Sequence, residues 1–68
     1  MMMLVFVNGS KREVAEALSL PGLLDELDLS GKPVVVELNE VALLPREYGA
    51  TILAEGDRVE IVQITAGG

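Results

Sequence analysis

The pair Asn8-Gly9, set directly after the apolar run Met2 to Val7, constrains this chain more than any other stretch. Asn-Gly supplies two consecutive residues that accept positive φ, which the type I′ turn needs, and the twist of that turn matches the twist of paired strands. The chain is therefore expected to run as a strand over Met2 to Val7, reverse at Asn8-Gly9, and return as a second strand near Lys11 to Ala15. Helix propensity argues the other way for Glu13 to Leu18 (Glu-Val-Ala-Glu-Ala-Leu), but propensity is a weak prior and the turn signal is sharp. Both alternating faces of Met2 to Val7 are apolar, so this strand is expected to be buried on both sides.

Ser19 fits a helix N-cap, with Pro21 in the first turn, where a missing N–H does no harm. Leu20, Leu23, Leu24 and Leu27 recur at i, i+3, i+4 and i+7. They form one stripe of a helix, with Asp25, Glu26 and Asp28 on the wet side. Burying each leucine is worth about 1.5–3 kcal/mol before entropy is charged against it, so the stripe is read as core. Gly31 is expected just past the helix end. Pro33 to Leu38 is the clearest strand, with proline first and three valines following. Val41 to Leu44 reads as a short strand stopped by Pro45, and Arg46 to Ala54 as an irregular or single-turn connection. Gly56-Asp57 reads as a tight turn and Val59 to Ile64 as the last strand. The order β-β-α-β-β-β predicts an α+β domain in which one sheet covers one helix. With short loops, no repeat and no linker, the 68 residues read as a single domain.

The side-chain inventory limits the chemistry. There is no Cys and no His, so the chain has no thiolate nucleophile, no disulfide, no thiolate metal site and no imidazole base. A self-sufficient active site is hard to assemble from what remains, and no metal site or bound cofactor is expected. Half the residues are hydrophobic (50%), a globular composition rather than a disordered one. The formal net charge of -6 repels phosphate backbones and favours encounter with a basic protein, so no nucleic-acid partner is expected. Met1 to Val7 is too short to span a bilayer and lacks a basic flank and a cleavage site. No membrane association is expected, and the cytoplasm is the expected compartment.

The last predicted strand runs straight into Thr65-Ala66-Gly67-Gly68. From average glycine usage, a terminal Gly-Gly arises by chance in roughly 1 chain in 200. Four extended residues reach about 13 Å. Glycine has no Cβ, so another protein can close tightly around it. An α-carboxyl is ionised at neutral pH, which makes the end of Gly68 a nucleophile on a thin stalk. Termini also fray and favour small residues, and a tail without a role is the competing reading.

Taken together, these segments resemble the ThiS family of thiamine sulfur carriers, relatives of ubiquitin. The resemblance spans nearly the whole chain. Its most specific part is Glu55-Gly56-Asp57-Arg58-Val59-Glu60-Ile61-Val62-Gln63-Ile64-Thr65-Ala66-Gly67-Gly68, similar to the family's ending of Gly-Asp, an apolar strand and a terminal Gly-Gly. Val34-Val35-Val36-Glu37-Leu38-Asn39 and Leu44-Pro45-Arg46-Glu47 support it. The stretch between Asn39 and Pro45 is one residue longer than the family pattern, and Tyr48 stands where an aromatic residue, often Trp, is usual. The resemblance implies a ubiquitin-like β-grasp, a mixed sheet with its first and last strands parallel at the centre. It also implies that Gly68 is modified covalently, first to an acyl-adenylate and then to a thiocarboxylate, while Thr65, Ala66, Gly67 and Gly68 enter a channel in the partner. The implied partners are a ThiF-type adenylyltransferase that uses ATP and Mg, a persulfide sulfur donor, and thiazole synthase (ThiG). The chain itself is then a carrier rather than an enzyme, and a monomer when free.

If Val59 and Ile61 face the helix, a period of two puts Glu60, Val62 and Ile64 on the outer face, where they offer a docking surface beside the tail. Single exposed apolar residues are also common without any function. Arg46 and Arg58 read as solvated charges, and Asp57 as serving the turn. The nearest rival is the small subunit of molybdopterin synthase, which shares the fold, the ending and the thiocarboxylate chemistry but is usually longer. Carriers for other sulfur products and ubiquitin-like modifiers are further alternatives. A rival of another class is a non-covalent β-grasp binding module, which needs no free C-terminus.

Overall fold

The computed structural model describes residues 1–65; Ala66, Gly67 and Gly68 of the expected tail lie outside the described residues. The elements are β1 (Met2–Val7), β2 (Ser10–Ala15), α1 (Leu20–Glu26), β3 (Val34–Leu38), β4 (Val41–Leu43), α2 (Pro45–Tyr48) and β5 (Arg58–Gln63). The strands form one sheet in the order β2-β1-β5-β3-β4. β1 and β5 pair in parallel, and every other neighbouring pair is antiparallel. This is the β-grasp arrangement that the resemblance implies. Among the described residues, no helix is long and apolar enough to cross a membrane.

The first hairpin forms as the Asn-Gly signal requires. Val7 pairs with Ser10 across Asn8 (φ 50°) and Gly9 (φ 84°). Strand pairing overrides the helix propensity of Glu13 to Leu18: β2 runs to Ala15, buries Val14 and leaves Glu13 exposed. A second two-residue turn joins β3 to β4, where Leu38 pairs with Val41 across Asn39 (φ 51°) and Glu40 (φ 70°). Glutamate gains nothing from this left-handed conformation, which costs a residue with a Cβ about 1–2 kcal/mol. Glu40→Gly should therefore stabilise the domain by about 1 kcal/mol once the greater freedom of unfolded glycine is subtracted. In a thermal unfolding scan this appears as a rise in Tm of roughly 5 °C.

Ser19 caps α1 as expected, its Oγ accepting the Gly22 N–H at 3.1 Å. Leu20, Leu23 and Leu24 are buried, and Leu27 packs partly buried against them. The far end of the helix departs from expectation. Asp28, not Gly31, takes the left-handed position after the helix (φ 60°). The Asp28 N–H donates to the Asp25 carbonyl at 3.1 Å and the Leu29 N–H to the Leu24 carbonyl at 2.8 Å, the two bonds of a Schellman ending. A short polar side chain tolerates that conformation well enough for the helix to stop without glycine. Gly31 serves the following turn instead (φ 77°). β4 ends at Leu43, one residue short of the expected strand, because Leu44 caps the single turn α2 that Pro45 opens, its N–H donating to Glu47 Oε1 at 2.7 Å.

The core lies between the helix and one face of the sheet. It holds Met3 and Val5 of β1, Val14 of β2, Val36 of β3, Val59 and Ile61 of β5, the α1 leucines, and Leu53 from the connection before β5. Among the described residues no polar or charged residue is buried. The expectation that β1 is buried on both sides is not met. Met3 and Val5 are buried, but Met2 and Leu4 are exposed and Phe6 only half-buried. β1 is interior in the plane of the sheet, bonded to β2 on one edge and β5 on the other. Its second face has no layer above it, because the helix covers only the opposite face. The apolar character of that open face therefore has to be explained by something other than the core.

Candidate functional site

β5 leads to the tail, and it is fastened on both edges. Toward β3 it has a continuous register from Leu38↔Val59 to Val34↔Gln63. Toward β1 the ladder is short, Phe6↔Arg58 and Val7↔Val59, because β1 then turns away at Asn8. The Asn8 side chain extends the pairing past that point. Its Oδ1 accepts the Ile61 N–H at 2.7 Å, and its Nδ2 donates to the Ile61 carbonyl at 3.2 Å. One amide side chain thus does for Ile61 what a neighbouring strand would do.

Asn39, in the other hairpin turn, clasps the start of β5 in a similar way. Its Oδ1 accepts the Arg58 N–H at 2.9 Å, and its Nδ2 donates to Asp57 Oδ1 at 3.1 Å. The second oxygen of Asp57 accepts the Ala54 N–H at 2.8 Å, so Asp57 serves the turn, as its sequence context suggests. Sequence reading marks Asn8 and Asn39 only as turn residues. Their bonds to β5 span 53 and 19 positions in the chain, a separation that no local pattern encodes.

Among the described residues the last backbone bond near the end is from the Ile64 N–H to the Pro33 carbonyl, at 2.9 Å. The chain is thus tied to the sheet through Ile64, and exposed Thr65 is the last described residue. Gly68, the expected site of covalent modification, and its neighbours Ala66 and Gly67 lie outside the described residues.

Val59 and Ile61 point into the core at 1% and 7% exposure. Alternation then places Glu60, Val62 and Ile64 on the open face, all exposed, as expected. The register adds two residues from β3 that sequence reading missed. Val35 stands opposite Val62, and Glu37 opposite Glu60. Alternation in β3 was readable, but which residue of β5 each would face was not. The open face therefore carries an apolar group, Val35, Val62 and Ile64, beside the end of the sheet that leads to the tail. The Glu37–Glu60 pair comes next. Arg58 follows, registered with Phe6, and Phe6 is registered in turn with Lys11. Phe6, Gly9, Arg58 and Glu60 line a shallow depression of about 320 Å³ at this end. Arg46, also read from sequence as a solvated charge, is exposed on α2.

Among the described residues no group of three or more acidic, His or Cys side chains could hold a metal ion. The ion pair found among them, Arg12–Glu26 at 3.4 Å, joins β2 to the helix, on the covered face.

The sequence profile of the ThiS family matches residues 5–68, from the middle of β1 through the terminal Gly-Gly. The chain belongs to the ThiS family. The sulfur carrier protein ThiS of Thermus thermophilus is 38% identical over 65 residues, covering 96% of this chain and all of that protein. The crystal structure of the thiamine biosynthesis protein ThiS from Geobacter metallireducens superposes with a TM-score of 0.82 at 36% identity, covering 97% of this chain and all of that one. The β-grasp fold of this ThiS-family chain is therefore shared with a solved member. A protein named thiazole synthase from Magnetococcus marinus is 33% identical over 66 residues; these are 97% of this chain but only 20% of that protein. There a ThiS-like segment forms part of a much longer chain.

Proposed function

We propose that this ThiS-family chain is a sulfur carrier for thiazole assembly in thiamine biosynthesis, and that the carboxylate of Gly68 is the group that carries the sulfur. The observation that carries this reading is the family match running through Gly68, placed directly after a strand that is fastened as far as Ile64. A chain without Cys or His supplies an acyl group, and its partners supply the catalysts and the phosphate-binding groups. An adenylyltransferase, using ATP and Mg, lets a Gly68 carboxylate oxygen attack the α-phosphorus. Pyrophosphate leaves, and the carboxylate becomes an acyl-adenylate. The terminal sulfur of a persulfide then attacks the acyl carbon and AMP leaves. A thiol that cleaves the resulting S–S bond takes up the oxidising equivalent as a disulfide and releases the thiocarboxylate.

The ThiS-like segment within a protein named thiazole synthase supports an enzyme of that kind as the sulfur acceptor. Glu60, Val62 and Ile64 form the surface on which a partner docks while Thr65, Ala66, Gly67 and Gly68 enter its channel. The test is intact-mass analysis after incubation with ATP, Mg, a ThiF-type adenylyltransferase and a sulfide source. The expected result is exchange of one oxygen for sulfur, mapped to Gly68. An unchanged mass with each adenylyltransferase tried would overturn the reading.

A further inference from the structure

Glu37 and Glu60 stand directly opposite one another across β3 and β5, both exposed on the open face. Side chains so placed have Cβ atoms about 4.5–5.5 Å apart, and like charges there work against the sheet. Among the described residues no hydrogen bond or ion pair relieves the pair; Arg58, two positions from Glu60, makes an ion pair with neither glutamate. Neither carboxylate accepts a hydrogen bond, and the ion pair Arg12–Glu26 lies on the covered face. Arg58, on the same face of β5, is registered with Phe6 of β1.

The position of the pair connects it to the tail. Val62 and Ile64 follow Glu60 at alternate positions on the same face, and the tail begins just after Ile64. A four-residue tail reaches about 13 Å, so a protein that takes Gly68 into a channel sits over Val62 and Ile64. Glu60 lies only two strand positions before Val62, roughly 7 Å away, so the same cover removes water from both glutamates. Two adjacent carboxylates without water or an ion-paired counter-charge are costly, and a cation brought by the covering protein removes that cost. The apolar group beside the tail supplies attraction but no direction, whereas charges fix register and orientation.

Resting on the carrier reading above, we propose that Glu37 and Glu60 together receive one cationic side chain of the adenylyltransferase and thereby set which way round the enzyme sits on the sheet. An arginine suits the pair best, because its planar guanidinium can donate to both carboxylates at once.

The experiment measures KM for the carrier and kcat for its adenylation, together with carrier Tm, for four chains. These are the wild type, the double variant Glu37→Gln with Glu60→Gln, the single variant Glu60→Lys, and a control, Glu16→Gln with Asp25→Asn, which removes the same charge away from the pair. The double variant should raise KM about tenfold, and Glu60→Lys more, with kcat at saturation unchanged. Tm should stay level or rise in the double variant, because repulsion between the glutamates is removed; a purely structural role would lower it. The control should keep the wild-type KM. A double variant with wild-type KM, or a control that rises equally, overturns this proposal alone. A wild-type chain that no adenylyltransferase accepts overturns the carrier reading and this proposal with it.

Discussion

A chain carrying one extra residue after Gly68 and a chain lacking Gly68 should each form thiocarboxylate at least about 100-fold more slowly than the wild type. The two variants test different things. Extension turns the Gly68 carboxylate into an amide carbonyl, which is no nucleophile toward a phosphorus centre, and moves the terminal carboxylate about 3.3 Å further out, onto the added residue. Deletion leaves a terminal carboxylate on Gly67 but shortens the reach by about 3.3 Å. Misplacing a reacting atom by even 1 Å can cost about 100-fold, because the gain from orientation depends on near-contact geometry. Both changes should leave the fold intact: among the described residues the core contribution of β5 ends at Ile61, and the last backbone bond is made by Ile64. Intact-mass analysis after activation, with a thermal scan of each variant, separates the outcomes. An extended chain that is thiocarboxylated at the wild-type rate would exclude any need for the carboxylate to sit at Gly68. Wild-type and extended chains that both stay unmodified would favour a non-covalent binding module, which tolerates a blocked end.

The parts of this molecule readable from sequence are those governed by local chemistry. Asn8-Gly9 specifies its turn because few residue pairs accept two positive φ values, and the leucine stripe of α1 specifies a buried face because its spacing matches the helix repeat. Alternation in β5 likewise separates Val59 and Ile61 from Glu60, Val62 and Ile64. The failures have a common origin. Apolar residues on both faces of β1 look the same in sequence whether the second face meets another layer or stands open, as Met2 and Leu4 do here. Helix α1 stops at Asp28 because an aspartate can do approximately what the later Gly31 was expected to do. Val35 and Glu37 join the candidate docking surface only through register, and register is a relation between strands far apart in the chain. The tail is legible as a terminal Gly-Gly that presents a carboxylate nucleophile, and the particular chemistry expected of it comes only through the family pattern.

Asn8→Ala should destabilise the domain by about 2–4 kcal/mol, more than its place in an exposed turn suggests. Two losses add. Removing Oδ1 leaves the part-buried Ile61 N–H without its acceptor, a penalty of about 1–3 kcal/mol. Alanine must also hold φ near 50°, which costs it about 1 kcal/mol more than it costs asparagine. A domain of this length has a total stability of only about 3–10 kcal/mol, so the variant should unfold at a much lower urea concentration. Asn8→Gly divides the two losses: it keeps the turn and removes only the amide, and should cost about 1–3 kcal/mol. Ile61 lies between Glu60 and Val62, so releasing its backbone loosens β5 where the docking surface is built. Amide hydrogen exchange gives the local readout: both variants should speed exchange at Ile61 more than at Val36, which stays paired within the sheet whatever occupies position 8. Wild-type urea midpoints in both variants would show that the Asn8 clasp on β5 contributes nothing, and that the ladders with β3 and β1 hold the strand in place without it.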